Sequence, residues 1–293
     1  MLYNAIVSGA FALIECLYYN CYSIHTEKKK KKIAFFDIDG TLTSEIDGSI
    51  PASTVDAIRA ARANGNLMFI NTGRCFHNLE ERFQSIGFDG FVCGCGTDIY
   101  CDGRQLMHTA PPHEVTMQLL EKAKEVDMDI LFESVDSTVF DLSRPLHNPD
   151  ARKLYKENLE KGFEVFDPWT APNFRCDKFV TWIRDEAQLT EFRKVSDQFF
   201  DCIDRGGLFR EFVPIGYTKA TGLQYILDHY GLTKEDAYVF GDSNNDLPML
   251  TYVPNSVAMG NADPESLKEK VAYVTKKSSE GGIAAALEHF GFI

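Results

Sequence analysis

The feature that most constrains this chain is a junction that occurs three times: four apolar residues that stop at a group of polar, ligand-capable ones. Ile33-Ala34-Phe35-Phe36 runs into Asp37-Ile38-Asp39-Gly40-Thr41-Leu42, and Leu67-Met68-Phe69-Ile70 into Asn71-Thr72-Gly73-Arg74. Ala237-Tyr238-Val239-Phe240 runs into Gly241-Asp242-Ser243-Asn244-Asn245-Asp246. Short runs this apolar read as strands buried on both faces, and such strands belong to parallel sheets covered by helices. Helical stretches are expected at 52–64, behind Pro51 and ahead of Gly65, at 76–86, closed by Gly87, and at 221–230, closed by Gly231. Further strands are expected at 91–93, 256–259 and 272–274, with Asp263-Pro264 opening a helix and a last helix at 283–290.

The middle of the chain has a different texture. Helical patterns at 113–126, 150–161 and 186–199 alternate with strand patterns at 129–134, 138–142 and 177–184, and Asp167-Pro168-Trp169-Thr170-Ala171-Pro172 reads as a loop. The expected fold class is therefore α/β. A Rossmann-like parallel-sheet core with helices on both faces is formed by 33–107 and 209–293, and an α+β module is inserted at 108–208.

Residues 1–32 do not match the rest. Ala5 to Tyr22 is mostly apolar and is followed by Lys28 to Lys32; five lysines against Glu15 and Glu27 give this leader a net charge of +3, leaving -16 of the total -13 on the remainder. The run is at the short end for a membrane span, and Glu15 near its centre opposes insertion. No positive charge precedes the run, so a secretory signal fits poorly. The favoured expectation for 1–32 is a poorly ordered or non-native extension of a cytoplasmic protein; membrane anchoring through 5–22, or a helix packed on the domain, is the alternative.

The sequence pI near 5.0 argues against a nucleic-acid partner. A phosphate-bearing small molecule would need local positive charge or a metal against this background. The eight cysteines, at 16, 21, 75, 93, 95, 101, 176 and 202, show no Cys-x-x-Cys spacing. They read as buried thiols in a reducing compartment, with a metal or redox role for the cluster Cys93, Cys95 and Cys101 as the alternative.

Each junction carries a chemical and a plain reading. Asp37 and Asp39 share one side of an extended chain, about 6.6 Å apart at 3.3 Å per residue. They can share a divalent cation or divide the roles of nucleophile and acid/base; many such pairs are only solvated turns. Thr72 and Gly73 can present a hydroxyl and unhindered backbone N–H groups to phosphate, or simply cap a helix. Lys219, where the dipole of a starting helix disfavours a cation, is either a charge clamp for an anion or a surface lysine. Asp242 and Asp246 are four residues apart and suit a hard cation such as Mg²⁺, or else form an Asx turn.

Taken together and in this order, DIDGTL, NTGR, Lys219 and GDSNNDLPML resemble the haloacid dehalogenase-like phosphatase superfamily. Val257-Ala258-Met259-Gly260-Asn261-Ala262 and Glu280-Gly281-Gly282-Ile283 resemble its Cof-like, type IIB branch, and the likeness covers about residues 33–293. The resemblance implies Asp37 as the nucleophile that becomes an aspartyl-phosphate and Asp39 as acid and then base. It implies Mg²⁺ held by Asp37, the Asp39 backbone carbonyl and Asp242, with Asp246 as a further or outer ligand. Thr72, the Gly73 backbone, Lys219 and Asn245 would hold the phosphoryl oxygens, and 108–208 would be a cap. The implied substrate is a small phosphorylated metabolite, either a sugar phosphate or a nucleotide-like cofactor. A sugar phosphomutase and a non-catalytic, membrane-tethered regulatory protein are the alternatives. One departure is Gly94-Cys95-Gly96-Thr97, where the family often has Asn-Gly. Arg175, Asp177, Lys178 and Arg205 are loose candidates for contacts to the leaving group, each otherwise an exposed charge. Trp169 is either a packing residue or a ligand platform.

Overall fold

The computed structural model describes residues 31–160, 162 and 174–293. The chain divides into Met1–Lys31 and Lys32–Ile293, and the second unit carries everything below. Residues 1–30 of the leader, with Cys16 and Cys21, and Trp169 with the loop at 167–172 lie outside the described residues. No helix among the described residues is long and apolar enough to cross a membrane.

The three apolar runs are strands β1 (Ile33–Phe36), β2 (Leu67–Asn71) and β11 (Ala237–Gly241). They lie side by side and parallel, with Phe36 opposite both Ile70 and Phe240. Alternate residues pack on opposite faces, which is why the runs are apolar throughout. Ala34 and Phe36 join helices α1 (Ala52–Ala63) and α7 (Gly282–His289), whereas Ile33 and Phe35 join α6 (Lys219–Tyr230). Strands β3 (Gly90–Cys93), β12 (Asn255–Ala258) and β13 (Tyr273–Val274) extend the parallel part.

Two strands escaped the reading. β4 (Asp98–Cys101) and β5 (Arg104–His108) form an antiparallel hairpin on the outer edge, completing the order β13-β12-β11-β1-β2-β3-β4-β5. Asp102-Gly103, both at positive φ, is the two-residue turn that would have signalled it. The expected helix at 76–86 is broken: helical turns at Phe76–Asn78 and α2 (Glu81–Gln84) flank Leu79 and Glu80 in extended conformation. That break lets Leu79 and Phe83 reach the same core. The helix expected behind Asp263-Pro264 is a six-residue 3₁₀ helix, Glu265–Lys270, with Pro264 rather than Asp263 at its cap position.

The inserted segment forms a separate five-stranded antiparallel sheet, β7-β6-β8-β10-β9. Its strands are β6 (Asp129–Glu133), β7 (Thr138–Phe140), β8 (Lys178–Trp182), β9 (Phe200–Asp204) and β10 (Phe209–Pro214). The sequence boundary at 208 falls one strand short, because Phe209–Pro214 pairs with both β8 and β9. Helices α3 (His113–Glu125) and α5 (Glu186–Ser196) share a core with one face, and α4 (Pro149–Glu160) packs near the other.

Candidate active site

Open parallel sheets bind ligands beyond the carboxyl ends of their strands, and β11, β1 and β2 deliver their polar residues there together. Asp37 leaves β1 with its N–H donating to the Phe240 carbonyl at 3.0 Å. It is buried, and its carboxylate accepts from the Lys219 ammonium. Lys219 also donates to Asp246 Oδ1 at 2.6 Å and is itself fully buried. Its backbone is tied to the sheet, since Asn71 at the end of β2 donates to the Lys219 carbonyl at 2.8 Å. Lys219 is thus the first residue of α6, behind Thr218, whose side chain caps the helix. The surface-lysine reading fails because two buried carboxylates need a counter-ion.

The four acidic residues take different places. Asp37, Asp242 and Asp246 converge, with oxygens within 4.8 Å of one another. Asp246 is already engaged: its Oδ2 accepts from the backbone N–H groups of Asp242 at 2.9 Å and Ser243 at 3.0 Å. It is both the turn cap of the plain reading and a partner of Lys219. Asp242 accepts from Thr41 Oγ1 at 2.9 Å. Gly40 permits this approach: it sits at φ 81°, and a Cβ there would stand 2.3 Å from Asp242 Oδ2. Asp39 reaches the same cavity as Asp37. Its backbone stays extended (φ −77°, ψ 113°) and the chain kinks at Gly40, while the Asp39 carboxylate lies exposed with both oxygens held by Arg74, at 3.0 Å from Nε and 2.6 Å from Nη2.

The field of the site follows from burial. Burial pushes the Asp37 carboxyl up to about 7, against the pull of the Lys219 ammonium and with the push of Asp246 and Asp39. Burial, then the Asp37 and Asp246 charges, pushes Asp242 up to about 8. For Lys219 burial works against the charge, but Asp246 and Asp37 prevail and raise its pKa above the ordinary lysine range. Crowded, partly buried carboxylates with oxygen donors only are a setting that a hard divalent cation relieves, so the residues present fit Mg²⁺.

Above the carboxylates lies a cavity of ≈ 380 Å³. The structure brings Asp37, Asp39, Thr72, Gly73 and Asn245 to its wall, while Lys219 lies beneath. Thr72 Oγ1 accepts from the Arg74 N–H at 3.1 Å, so it braces its own loop as well as facing the cavity. The opposite wall comes from the inserted sheet. Lys178 is buried, donates to the Gly73 carbonyl at 2.9 Å and pairs with Glu211 and, at 3.2 Å, Glu133. Glu133 and Glu211 hold its ammonium charged against the cost of burial. Arg205 lines the same wall, 3.6 Å from Glu211. Arg175 stays exposed, and Asp177 turns aside to His108, 2.9 Å away.

Sequence reasoning missed Glu133, Glu211, Arg74 and Asn158 as cavity residues. Arg74 lay in a quoted motif; the others sit inside ordinary strand and helix patterns with no local signal. Cys95 adopts φ 58°, a conformation asparagine tolerates well, and its thiol faces Glu211 at 3.7 Å. Burial pushes that thiol up to about 12, so it stays a neutral donor. The six described cysteines are all free.

The chain is similar to known proteins over most of its length. The family described as haloacid dehalogenase-like hydrolase matches residues 34–287. YkrA of Bacillus subtilis (strain 168) is 30% identical over 271 residues, covering 89% of this chain and 98% of that protein. YitU of the same organism, a 5-amino-6-(5-phospho-D-ribitylamino)uracil phosphatase, is 27% identical, covering 89% of this chain and 98% of its own length. Among solved structures, the subclass IIB sugar phosphatase BT4131 superposes with a TM-score of 0.76 at 28% identity, covering 90% of this chain and all of that one.

Proposed function

This chain belongs to the haloacid dehalogenase-like hydrolases and is a phosphatase of their Cof-like, type IIB branch, and from that premise we propose that it hydrolyses a small phosphorylated metabolite through Asp37. The observation that carries the reading is the placing of the buried Asp37 carboxylate at the floor of a cavity walled by Thr72, Gly73 and Asn245, with Lys219 beneath it. An Asp37 oxygen attacks phosphorus, the bond to the ester oxygen breaks, and Asp39 gives that oxygen a proton. Water then attacks phosphorus, Asp39 takes its proton, and the bond to Asp37 breaks to release phosphate. Asp39 must exchange Arg74 for the leaving oxygen, and its place at the cavity wall allows this. Asp37, Asp242 and the Asp39 carbonyl would hold Mg²⁺, which would supply positive charge between an anionic nucleophile and an anionic ester. The segment that carries β6 to β10 acts as the cap, and Lys178 is the side chain by which it grips the phosphate loop.

The test is phosphate release from a panel of phosphate monoesters with Mg²⁺ and with EDTA. Release should need the metal, and Asp37→Asn should lower it by at least about 1,000-fold with an unchanged circular dichroism spectrum. Undiminished turnover in that variant refutes the assignment of the nucleophile. An isomerised ester in place of free phosphate would make the protein a phosphomutase.

A further inference from the structure

Carboxylates crowd the cavity wall: Asp37, Asp39, Glu133, Glu157 and Glu211 all line it. An anionic ester entering there needs a cation that is free to turn to it, and three of the cations at the site are already spent. Lys219 is shared by Asp37 and Asp246. Arg74 holds both Asp39 oxygens, with its Nη1 3.4 Å from Glu80. Lys178 is divided among the Gly73 carbonyl, Glu211 and Glu133. Arg205 is different. It lies in the turn between β9 and β10 and lines the cavity, but its guanidinium makes no hydrogen bond among the described residues. The carboxylate oxygen it faces, Glu211 Oε2, is 3.6 Å away, beyond hydrogen-bond reach. The other Glu211 oxygen, Oε1, borders the phosphate loop: a Cβ on Gly73 would stand 3.0 Å from it and 3.8 Å from Asn245 Nδ2. Arg205 is therefore one carboxylate away from Gly73 and Asn245. The charge of the nucleophile reaches it too. Burial works against the guanidinium, but Glu211 and then Asp37 prevail and raise its pKa.

We propose, resting on the phosphatase reading above, that Arg205 binds the transferring phosphoryl group itself rather than the leaving group, so that the inserted sheet supplies a cation to the reacting centre. A guanidinium presents paired N–H groups that match two phosphoryl oxygens, and its bonds to an anion are stronger than bonds between neutral groups. Turning to the ester breaks no hydrogen bond of Arg205, and Glu211 keeps Lys178. In the transition state the charge is spread over the three equatorial oxygens of the transferring group, so a guanidinium placed on them acts on the chemical step as well as on binding. The phosphoryl group is common to every monoester. This role therefore makes the contribution of Arg205 independent of the leaving group.

The experiment measures kcat/KM on the full chain with Mg²⁺ for acetyl phosphate, glucose 6-phosphate and flavin mononucleotide, which share only the phosphoryl group. It also measures inhibition by orthovanadate, which has no leaving group. Arg205→Met, with an unchanged circular dichroism spectrum, should lower kcat/KM at least about 100-fold on each donor that the parent hydrolyses, by factors that agree within about threefold. Orthovanadate should bind that variant at least about tenfold more weakly. Arg205→Lys should recover only part of the loss, because a point charge lacks the paired N–H groups. Adding Glu211→Gln to Arg205→Met should not restore turnover. Undiminished turnover in Arg205→Met overturns the assignment. So does a loss confined to glucose 6-phosphate and flavin mononucleotide, with acetyl phosphate and orthovanadate unaffected, which places Arg205 on the leaving group. Recovery in the double variant overturns it as well, since Arg205 then only neutralises Glu211. Each of these outcomes leaves the phosphatase reading standing, whereas no phosphate release by the parent from any donor overturns both.

Discussion

The two sheets of this protein use charge in opposite ways. In the parallel sheet, charge is kept out of the strands and gathered just past their ends: β1, β2 and the first four residues of β11 are apolar apart from Asn71. In the inserted antiparallel sheet, charge lies inside the strands, at Glu133, Lys178 and Glu211 on the face toward the cavity. The difference follows from burial. A strand covered by helices on both faces has no side on which to place an ion, so its functional groups wait for the chain to leave the sheet. A strand covered on one face by helices can spend alternate residues on the other, provided that the ions pair.

The largest effect should come from breaking the core's ion cluster. Lys219→Met leaves Asp37 and Asp246 buried without their ammonium, which costs about 3–5 kcal/mol. Urea denaturation should show this loss, and turnover should fall to background. A variant as stable as the parent would mean that the carboxylates are protonated or solvated instead. Lys178→Met tests the cap in the same way. The loss should be smaller, about 2–3 kcal/mol, because Arg205 and Asn78 remain beside Glu211 and Glu133. A loss equal to that of Lys219→Met would erase the contrast between the two clusters.

The smallest effect tests the metal. The pKa values of Asp37 and Asp242 are raised in the folded protein, to about 7 and about 8, from an unfolded value of 3.8. Groups raised in this way contribute stability that is full below about pH 4 and lost as pH rises through 7 to 8. Mg²⁺ binds the ionised carboxylates and offsets that loss. Its gain in melting temperature should therefore be larger at pH 8 than at pH 5.5, by about 2–4 °C. A gain that does not change with pH would separate the metal from these two carboxylates.

Legibility follows the same contrast. Asp37, Thr72 and Asp242 stood out because each interrupts an apolar run, so hydropathy alone marked their positions. Lys219 was legible as a helix-start oddity, but its burial between two aspartates was not, since Asp37 lies 182 residues away along the chain. Glu133 and Glu211 look like the polar half of any half-exposed strand. Only the pairing of β6, β8 and β10 shows that they share a lysine and face the site.

The sequence by itself determined the parallel core, the positions of the candidate carboxylates and the presence of an inserted module, because hydropathy period and strand-end chemistry are local properties. The tertiary structure decided what is non-local. It turned Asp39 toward Arg74, made Asp246 both a cap and a counter-ion, carried the inserted sheet through Pro214 and laid Lys178 on the Gly73 carbonyl. A charged residue's role depends on which distant charges burial forces it to meet, and that is settled only when the two sheets close on one cavity.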